Sequence, residues 1–342
     1  TFVPSEIQTF RSLFQYLMEI ATNKAFNLVI DEFQEFYNIN ESVYSDMQNI
    51  WDQYRNKTKM NLVVSGSIYS LMQKIFQDSK EPLFGRADNI IKLSAFDLTT
   101  LKEIMTDHRP SYTNDDLLAL YSFTGGVPKY VELFCDNGML SVDEMIEFMI
   151  RDNSSFTDEG KNLLIEEFGK NYATYFSILS AISGGINTQP KIESALGNKS
   201  IGGQLKRLIE DYNIIVRQRP ILAKEGTQAV RYEIQDNFLH FWFNYFDRHR
   251  SLIEIKNFQG LQKIVTDDYT TYTGRMLERY FKQQFAESFK YKDIGSWWEL
   301  KGNLNEIDIV ALKLEKNQAV VVEVKRQKKN FKPELFASKV EH

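Results

Sequence analysis

Asn27–Phe36 reads NLVIDEFQEF, an apolar run that ends on two adjacent acids, Asp31 and Glu32. A continuous apolar run is the pattern of a strand buried on both faces of a parallel sheet. The acids then fall at the strand's carboxyl end, where open α/β sheets place their ligands. A paired Asp and Glu there suits nucleotide hydrolysis, the Asp holding Mg²⁺ through water and the Glu polarising the attacking water. Apolar runs closed by two acids also arise by chance, so the neighbouring segments decide between the two readings.

Upstream, Ser5–Ala21 places Ile7, Phe10, Leu13, Phe14, Leu17 and Ile20 at a helical period. Downstream, Val43–Tyr54 is a second helix and Met60–Ser65 a second buried strand, ending in Ser65-Gly66-Ser67. Two buried strands joined through a helix, each with polar residues at its end, make a βαβ unit. Ser65 and Ser67 would sense a γ-phosphate or the attacking water, or simply cap the next helix. Glu81–Asp88 carries a Gly85-Arg86 pair ahead of an expected strand, Ile90–Leu93. Arg86 would offer a positive group to a phosphate or form a surface ion pair. Phe123–Phe134 combines a Gly-Gly turn, Pro128 at a helix start and an apolar helix.

Composition sets the frame. The 342 residues are 43% hydrophobic and 25% charged, ordinary for a globular chain with two or three domains. A lone cysteine, Cys135, excludes an internal disulfide framework and fits a reducing cytoplasm. No apolar stretch is long enough to span a bilayer, so no membrane partner is expected. Residues 1–171 hold 15 Lys and Arg against 26 Asp and Glu, a net of −11, whereas residues 172–342 hold 26 against 20, a net of +6. The basic half suits a polyanion such as DNA, or merely a solvated surface.

The motifs LVIDEFQEF, LVVSGS, PLFGR and TGGVPKY, in that order, resemble the archaeal-type ATPases of the AAA+/STAND group. The resemblance implies a P-loop NTPase fold that uses ATP and Mg²⁺. Asp31 and Glu32 would be its Walker B pair, and Ser65 or Ser67 its sensor. Arg86 would lie near the nucleotide or a neighbouring subunit, with self-association through the ATPase part, and TGGVPKY would open a helical lid. One departure stands out. Such ATPases cradle the phosphates in a G-x-x-x-x-G-K-[ST] loop, and no such loop occurs here, since Gly160-Lys161 and Gly169-Lys170 are each followed by Asn. In the family the loop precedes the Walker B strand, so the chain is either a fragment, the favoured expectation, or a degenerate ATPase, and it is expected to bind ATP poorly by itself.

Residues 172–255 read as three helices (Tyr172–Ile182, Thr188–Leu196, Ser200–Tyr212) followed by two strands, Ile214–Arg219 and Val230–Ile234. That is a winged-helix pattern. Lys206 and Arg207 on the third helix would enter a major groove, with Arg217, Arg219 and Lys224 on phosphates. The alternative is a packing module, and the acids Glu210 and Asp211 favour it. Phe238–Phe246, FLHFWFNYF, has rings on every side of a helix and is expected to be buried between domains. His240 and His249 have no partners at metal-binding spacing and read as structural.

In the last segment, the helix Gly274–Phe285 sets Glu278 among apolar residues. Asp308 follows on the strand Asn305–Leu312, and Glu323 and Lys325 share one face of the strand Ala319–Lys325. This order resembles the PD-(D/E)xK nuclease fold and the carboxy-terminal domain of DEXX-box archaeal ATPases. The resemblance implies a mixed sheet in which Asp308, Glu323 and Glu278 hold Mg²⁺ and Lys325 acts on the metal-bound water. Ile307 stands where the family motif has Pro. The basic run Lys325–Lys332 would bind phosphates or be solvated.

The expected whole is an α/β multidomain chain: a partial P-loop NTPase parallel sheet (1–100), a helical lid (101–171), a winged helix with an aromatic connecting helix (172–255) and a PD-(D/E)xK nuclease-like domain (256–342). Its expected function is ATP hydrolysis whose nucleotide state controls the winged-helix and nuclease-like output. The alternatives are a Mg²⁺-dependent DNA nuclease regulated by the ATPase part and a non-enzymatic scaffold with remnant sites.

Overall fold

Thr9 opens the first helix by a reciprocal capping box: its hydroxyl accepts from the Ser12 N–H at 3.1 Å and the Ser12 hydroxyl accepts from the Thr9 N–H at 3.2 Å. In the computed structural model, which describes residues 7–169, 172–224, 226–227, 229–299, 305–315 and 318–341, helix α1 is Phe10–Asn23. The expected start at Ser5 lies outside the described residues. Strand β1 (Phe26–Ile30), short helical turns through Ile39, helix α2 (Ser42–Tyr54), strand β2 (Met60–Val64) and helix α3 (Tyr69–Gln77) follow. β1 and β2 pair in parallel, from Phe26 opposite Met60 to Ile30 opposite Val64.

The two strands are not buried on both faces. Phe26, Leu28, Ile30, Leu62 and Val64 turn toward a core of Phe14, Met18, Phe33, Tyr44, Met47, Ile50 and Ile75. Val29 and Val63 point the other way and remain 63% and 45% exposed. Among the described residues, the helices of this unit supply that same core and cover one face of the sheet. A further difference concerns Ile90–Leu93, which pairs with no strand among the described residues. Ile90, Ile91 and Leu93 are exposed, and an apolar run without a neighbouring ladder has no partners for its backbone groups.

Compact units divide between Lys92 and Leu93 rather than at 100, 171 and 255. The second unit runs through helices α4 (Leu98–His108), α5 (Asn114–Thr124), α6 (Pro128–Asp136), α7 (Val142–Met149) and α8 (Phe156–Phe168). Next come α9 (Tyr172–Ser183), α10 (Gln189–Ala195) and α11 (Gly202–Glu210), then an antiparallel pair, β3 (Ile215–Gln218) and β4 (Arg231–Ile234). Helix α12 (Asn237–Phe241) continues into a π-helical turn, Trp242–Asp247, and the 30-residue α13 spans Phe258–Glu287. Strands β5 (Tyr291–Trp298), β6 (Glu306–Lys313) and β7 (Ala319–Val322) form a sheet, and α14 (Pro333–Glu341) follows. That sheet is antiparallel between every described pair, not mixed.

One core joins the expected lid and winged-helix segments to α13 of the expected nuclease-like segment, while Ile221, Ile307 and Val310 form a separate small cluster at the carboxy-terminal sheet. Buried residues from Leu98 to Tyr280 belong to a single apolar cluster. The FLHFWFNYF rings lie at its centre instead of between domains: Tyr130 meets Phe238 at 4.2 Å between ring centroids, Phe123 meets Phe241 at 4.8 Å, and Tyr272 meets Phe241 at 5.8 Å. Trp242 donates its indole N–H to the Thr157 carbonyl at 2.9 Å, and its ring lies against Gly160. A methyl group at Gly160 would collide with the indole. Gly160→Ala should therefore lower stability by about 1–3 kcal/mol, read as the urea midpoint. An unchanged midpoint would mean that the indole has room to move.

Candidate functional site

Asp31 and Glu32 leave the end of β1 just where β2 delivers Ser65 and Ser67. The Ser65 N–H donates to the Ile30 carbonyl at 3.0 Å and the Phe33 N–H to the Ser65 carbonyl at 2.8 Å, which locks the two strand ends together. The Ser65 hydroxyl donates to Asp31 Oδ1 at 2.6 Å, and the Glu32 N–H donates to the same oxygen at 3.0 Å. Glu32 adopts the left-handed conformation (φ 48°), rare for a residue with a Cβ. Its Oε2 accepts from the Ser67 hydroxyl at 2.8 Å and from Gln34 Nε2.

These bonds favour the ionised acids. The Ser65 hydroxyl and the Glu32 N–H hold Asp31 below the usual carboxylate range, and Gln34 followed by Ser67 does the same for Glu32. Asp31 Oδ2 has no hydrogen-bond partner among the described residues. A hard carboxylate oxygen left free beside a fixed hydroxyl fits Mg²⁺ bound through water.

Gln34 was not foreseen. It is 1% exposed, its Nε2 reaches both Glu32 and Ser67, and a side chain at Gly66 would collide with its Oε1. A polar residue two positions after Glu32, between Phe33 and Phe36, was the available signal. Arg86 lies elsewhere: its guanidinium binds Asp52 on α2, with contacts at 2.7 and 3.1 Å, and the carbonyls of Pro82 and Phe84. None of its contacts is with Asp31, Glu32, Ser65 or Ser67. Its charge is satisfied inside its own unit, the surface ion-pair outcome.

A second constellation forms in the carboxy-terminal sheet. β7 ends at Val322, so Glu323 and Lys325 lie beyond the strand and not on it. The cause is local: the Val324 N–H donates to Asp308 Oδ2 at 2.7 Å, and the side chain takes the place of a ladder carbonyl. Lys325 Nζ then reaches Asp308 Oδ2 at 3.2 Å and Glu323 Oε1 at 2.8 Å, and Lys339 reaches Glu323 at 3.0 Å. Burial opposes the charge on Glu323, but the two lysines outweigh it and hold the carboxyl below its usual range. Glu323 Oε2 is buried without a hydrogen-bond partner among the described residues.

Glu278, on α13, faces the same region from a cleft of about 400 Å³ that Arg275, Lys325 and Asn330 also line. Burial, then the negative charge of Asp308, raises its pKa from 4.5 to about 7. The expected metal set of Asp308, Glu323 and Glu278 is not gathered: among the described residues no three His, Cys, Asp or Glu side chains are placed to hold a metal ion. The Lys325 ammonium bridges Asp308 and Glu323 and already supplies the positive charge that the pair needs.

The raised pKa has a stability consequence. The folded protein keeps a proton on Glu278 that the unfolded chain releases, so the associated stability is whole below pH 4.5 and is lost as pH rises through about 7. Glu278→Gln stays neutral at every pH. It should gain stability over the natural protein between pH 5 and pH 8, by at most about 3 kcal/mol, as urea unfolding at both pH values would report. An equal difference at both would remove this account.

Arg326 was also missed by the sequence reading. It binds Asp115 at the start of α5 at 2.6 and 2.8 Å, binds the Thr273 hydroxyl at 2.5 Å, and lies over the Tyr269 ring. Among the expected nucleic-acid contacts, Lys206 pairs with Glu210 at 3.6 Å, Arg207 bonds to the Tyr175 hydroxyl, and Arg217 is exposed on β3. The loop after β3 does not stand free. Its Ile221 N–H donates to the Ser296 carbonyl of β5 at 2.8 Å, while Arg231 on β4 pairs with Glu306 and stacks on Trp298.

Residues 6–134 match the family described as an ATPase domain predominantly from Archaea, and residues 242–334 match a family of archaeal and bacterial proteins of unknown function. The chain is 32% identical over 309 residues to an uncharacterized protein of Methanocaldococcus jannaschii, covering 87% of this chain and 67% of the relative. The chain belongs to the archaeal-type ATPase family. A Walker-type ATPase of Pyrococcus abyssi is similar at 18% identity with a TM-score of 0.47, over 70% of this chain and 69% of that one. No helix among the described residues of this archaeal-type ATPase is long and apolar enough to cross a membrane.

Proposed function

We propose that the protein hydrolyses ATP at the strand ends of its first unit, and that its nucleotide state controls an output module formed by the second. The observation that carries this is the joining of Asp31 to Ser65 and of Glu32 to Ser67 across two parallel strands. Mg²⁺ would supply charge neutralisation on the phosphates, with Asp31 as the residue that holds it through water. Glu32 orients and polarises the attacking water, and Ser65 and Ser67 keep both carboxylates ionised and aimed. Gln34 fixes Glu32 from behind. Mg²⁺-dependent ATP turnover by the complete gene product tests the proposal, because the phosphate-cradling loop does not occur within these 342 residues. Absence of turnover in that product would overturn it.

A second reading, cleavage of DNA by the carboxy-terminal unit, is supported by one arrangement. Lys325 lies between Asp308 and Glu323, with Glu278 across the same cleft. An ammonium beside carboxylates suits neutralising a scissile phosphate and guiding a proton. The three helices and antiparallel pair of residues 172–234 would form a winged helix that presents the exposed Arg217 to a strand of DNA, while Lys206 and Arg207, both engaged within the chain, contribute less.

A further inference from the structure

On the far side of Lys325 and Arg326 the second unit holds another cavity, of about 740 Å³, which the reading of the carboxylate cluster does not use. Its walls come from α4, α5 and α13. Leu277, Tyr280 and Phe281 present apolar and aromatic surface along one turn of α13, and Tyr112 and Leu118 face them. The charged lining is Lys102, Lys325 and Arg326 against the single acid Asp115. Lys102 is the lining cation for which no ion pair occurs among the described residues.

The three cations are not equivalent. Arg326 is committed to Asp115, and Lys325 to Asp308 and Glu323. Lys102 is partly buried on α4, yet its ammonium forms no ion pair among the described residues. An ammonium at the edge of an apolar cavity, without a counter-charge among the described residues, is free to meet an anion supplied from outside. An aromatic floor with cations at one end matches a ligand that carries a flat ring at one end and a phosphate at the other.

We propose that this cavity is a binding site for a nucleoside phosphate, its base lying on the α13 rings and its phosphate meeting Lys102 beside Lys325 and Arg326. Either a free nucleotide or one unit of a nucleic-acid strand has this chemistry. The site stands whether or not the neighbouring carboxylates cleave anything, and it is separate from the strand-end acids of the first unit.

The test titrates 5′-AMP and, separately, a six-nucleotide single-stranded DNA into the natural protein and into Lys102→Glu, by calorimetry. One charge-assisted contact replaced by a repulsive one should weaken binding by at least about tenfold. Lys102→Gln should give a smaller loss, and the melting temperature of both variants should match the natural protein. Weakening with 5′-AMP supports a free nucleotide as the occupant. Weakening with the oligonucleotide alone supports a unit of a strand. Equal affinity in all three proteins for both probes, or no binding of either probe, overturns the site. Because Glu32 and Lys102 are probed by different variants, failure here leaves the ATPase reading intact and can be told apart from its failure.

Discussion

Glu32→Gln is expected to leave ATP bound and stop its turnover, lowering kcat by about 10²- to 10⁴-fold, the usual worth of a positioned general base. Glutamine has the shape of glutamate, so the left-handed backbone at this position and the neighbouring Ser67 and Gln34 need not rearrange. What it lacks is charge. Gln34 and Ser67 hold Glu32 below the usual carboxylate range, which keeps the natural side chain ionised at neutral pH; a neutral amide cannot draw a proton from water. The measurement is single-turnover hydrolysis beside nucleotide binding in the complete gene product. A variant that turns over ATP at the natural rate would move catalysis away from this strand end. One that loses binding as well would make Glu32 a structural residue, its role no more than to receive the two hydrogen bonds.

Asp308→Asn and Lys325→Met should each abolish cleavage of plasmid DNA, if the carboxy-terminal unit cuts phosphodiesters. Asp308 Oδ2 collects the Val324 N–H and the Lys325 ammonium on one oxygen. Asparagine keeps a carbonyl for the Val324 N–H and loses the charge that holds Lys325 in place. Lys325→Met keeps the length of the side chain and leaves Asp308 without its cation, while Glu323 retains Lys339. Loss of about 10²-fold or more is the expected result, from the removal of one positioned charge at a developing charge. Supercoiled DNA nicked at equal rates by all three proteins would take the chemistry away from this cluster. Equal melting temperatures are required before a loss of cleavage is read as chemical.

Some of this was legible from residue order. Asp31 and Glu32 at the end of an apolar run, with Ser65 and Ser67 at the end of the next, needed only strand period and the rule that a βαβ unit brings sequential strands together. The antiparallel pair after three helices, and Asp308, Glu323 and Lys325 converging, follow from the same local logic, since a strand and its near neighbour meet within a few tens of residues. Chain position alone also showed Glu278 on a helix.

Other features depend on partners far away in sequence. Val29 is exposed because the helices of its unit pack on the opposite face of the sheet, which the apolar run itself cannot report. Ile90–Leu93 has strand composition but pairs with no strand among the described residues. Arg86 found Asp52 rather than the strand ends. Arg326 meets Asp115 across 211 positions of chain, and Gln34 shows its role only when Glu32 and Ser67 surround it.

Residue order by itself determined most of the helices and the two strands that carry Asp31 and Ser65 at their ends, because φ and ψ preferences and apolar period act within a few residues. Tertiary structure decided which face of the first sheet is covered, that helices from α4 to α13 share one core while the carboxy-terminal sheet has a cluster of its own, and that a lysine bridges Asp308 and Glu323 where a metal ion was expected. Burial and ion pairing depend on distance through space, and chain position carries that only for near neighbours.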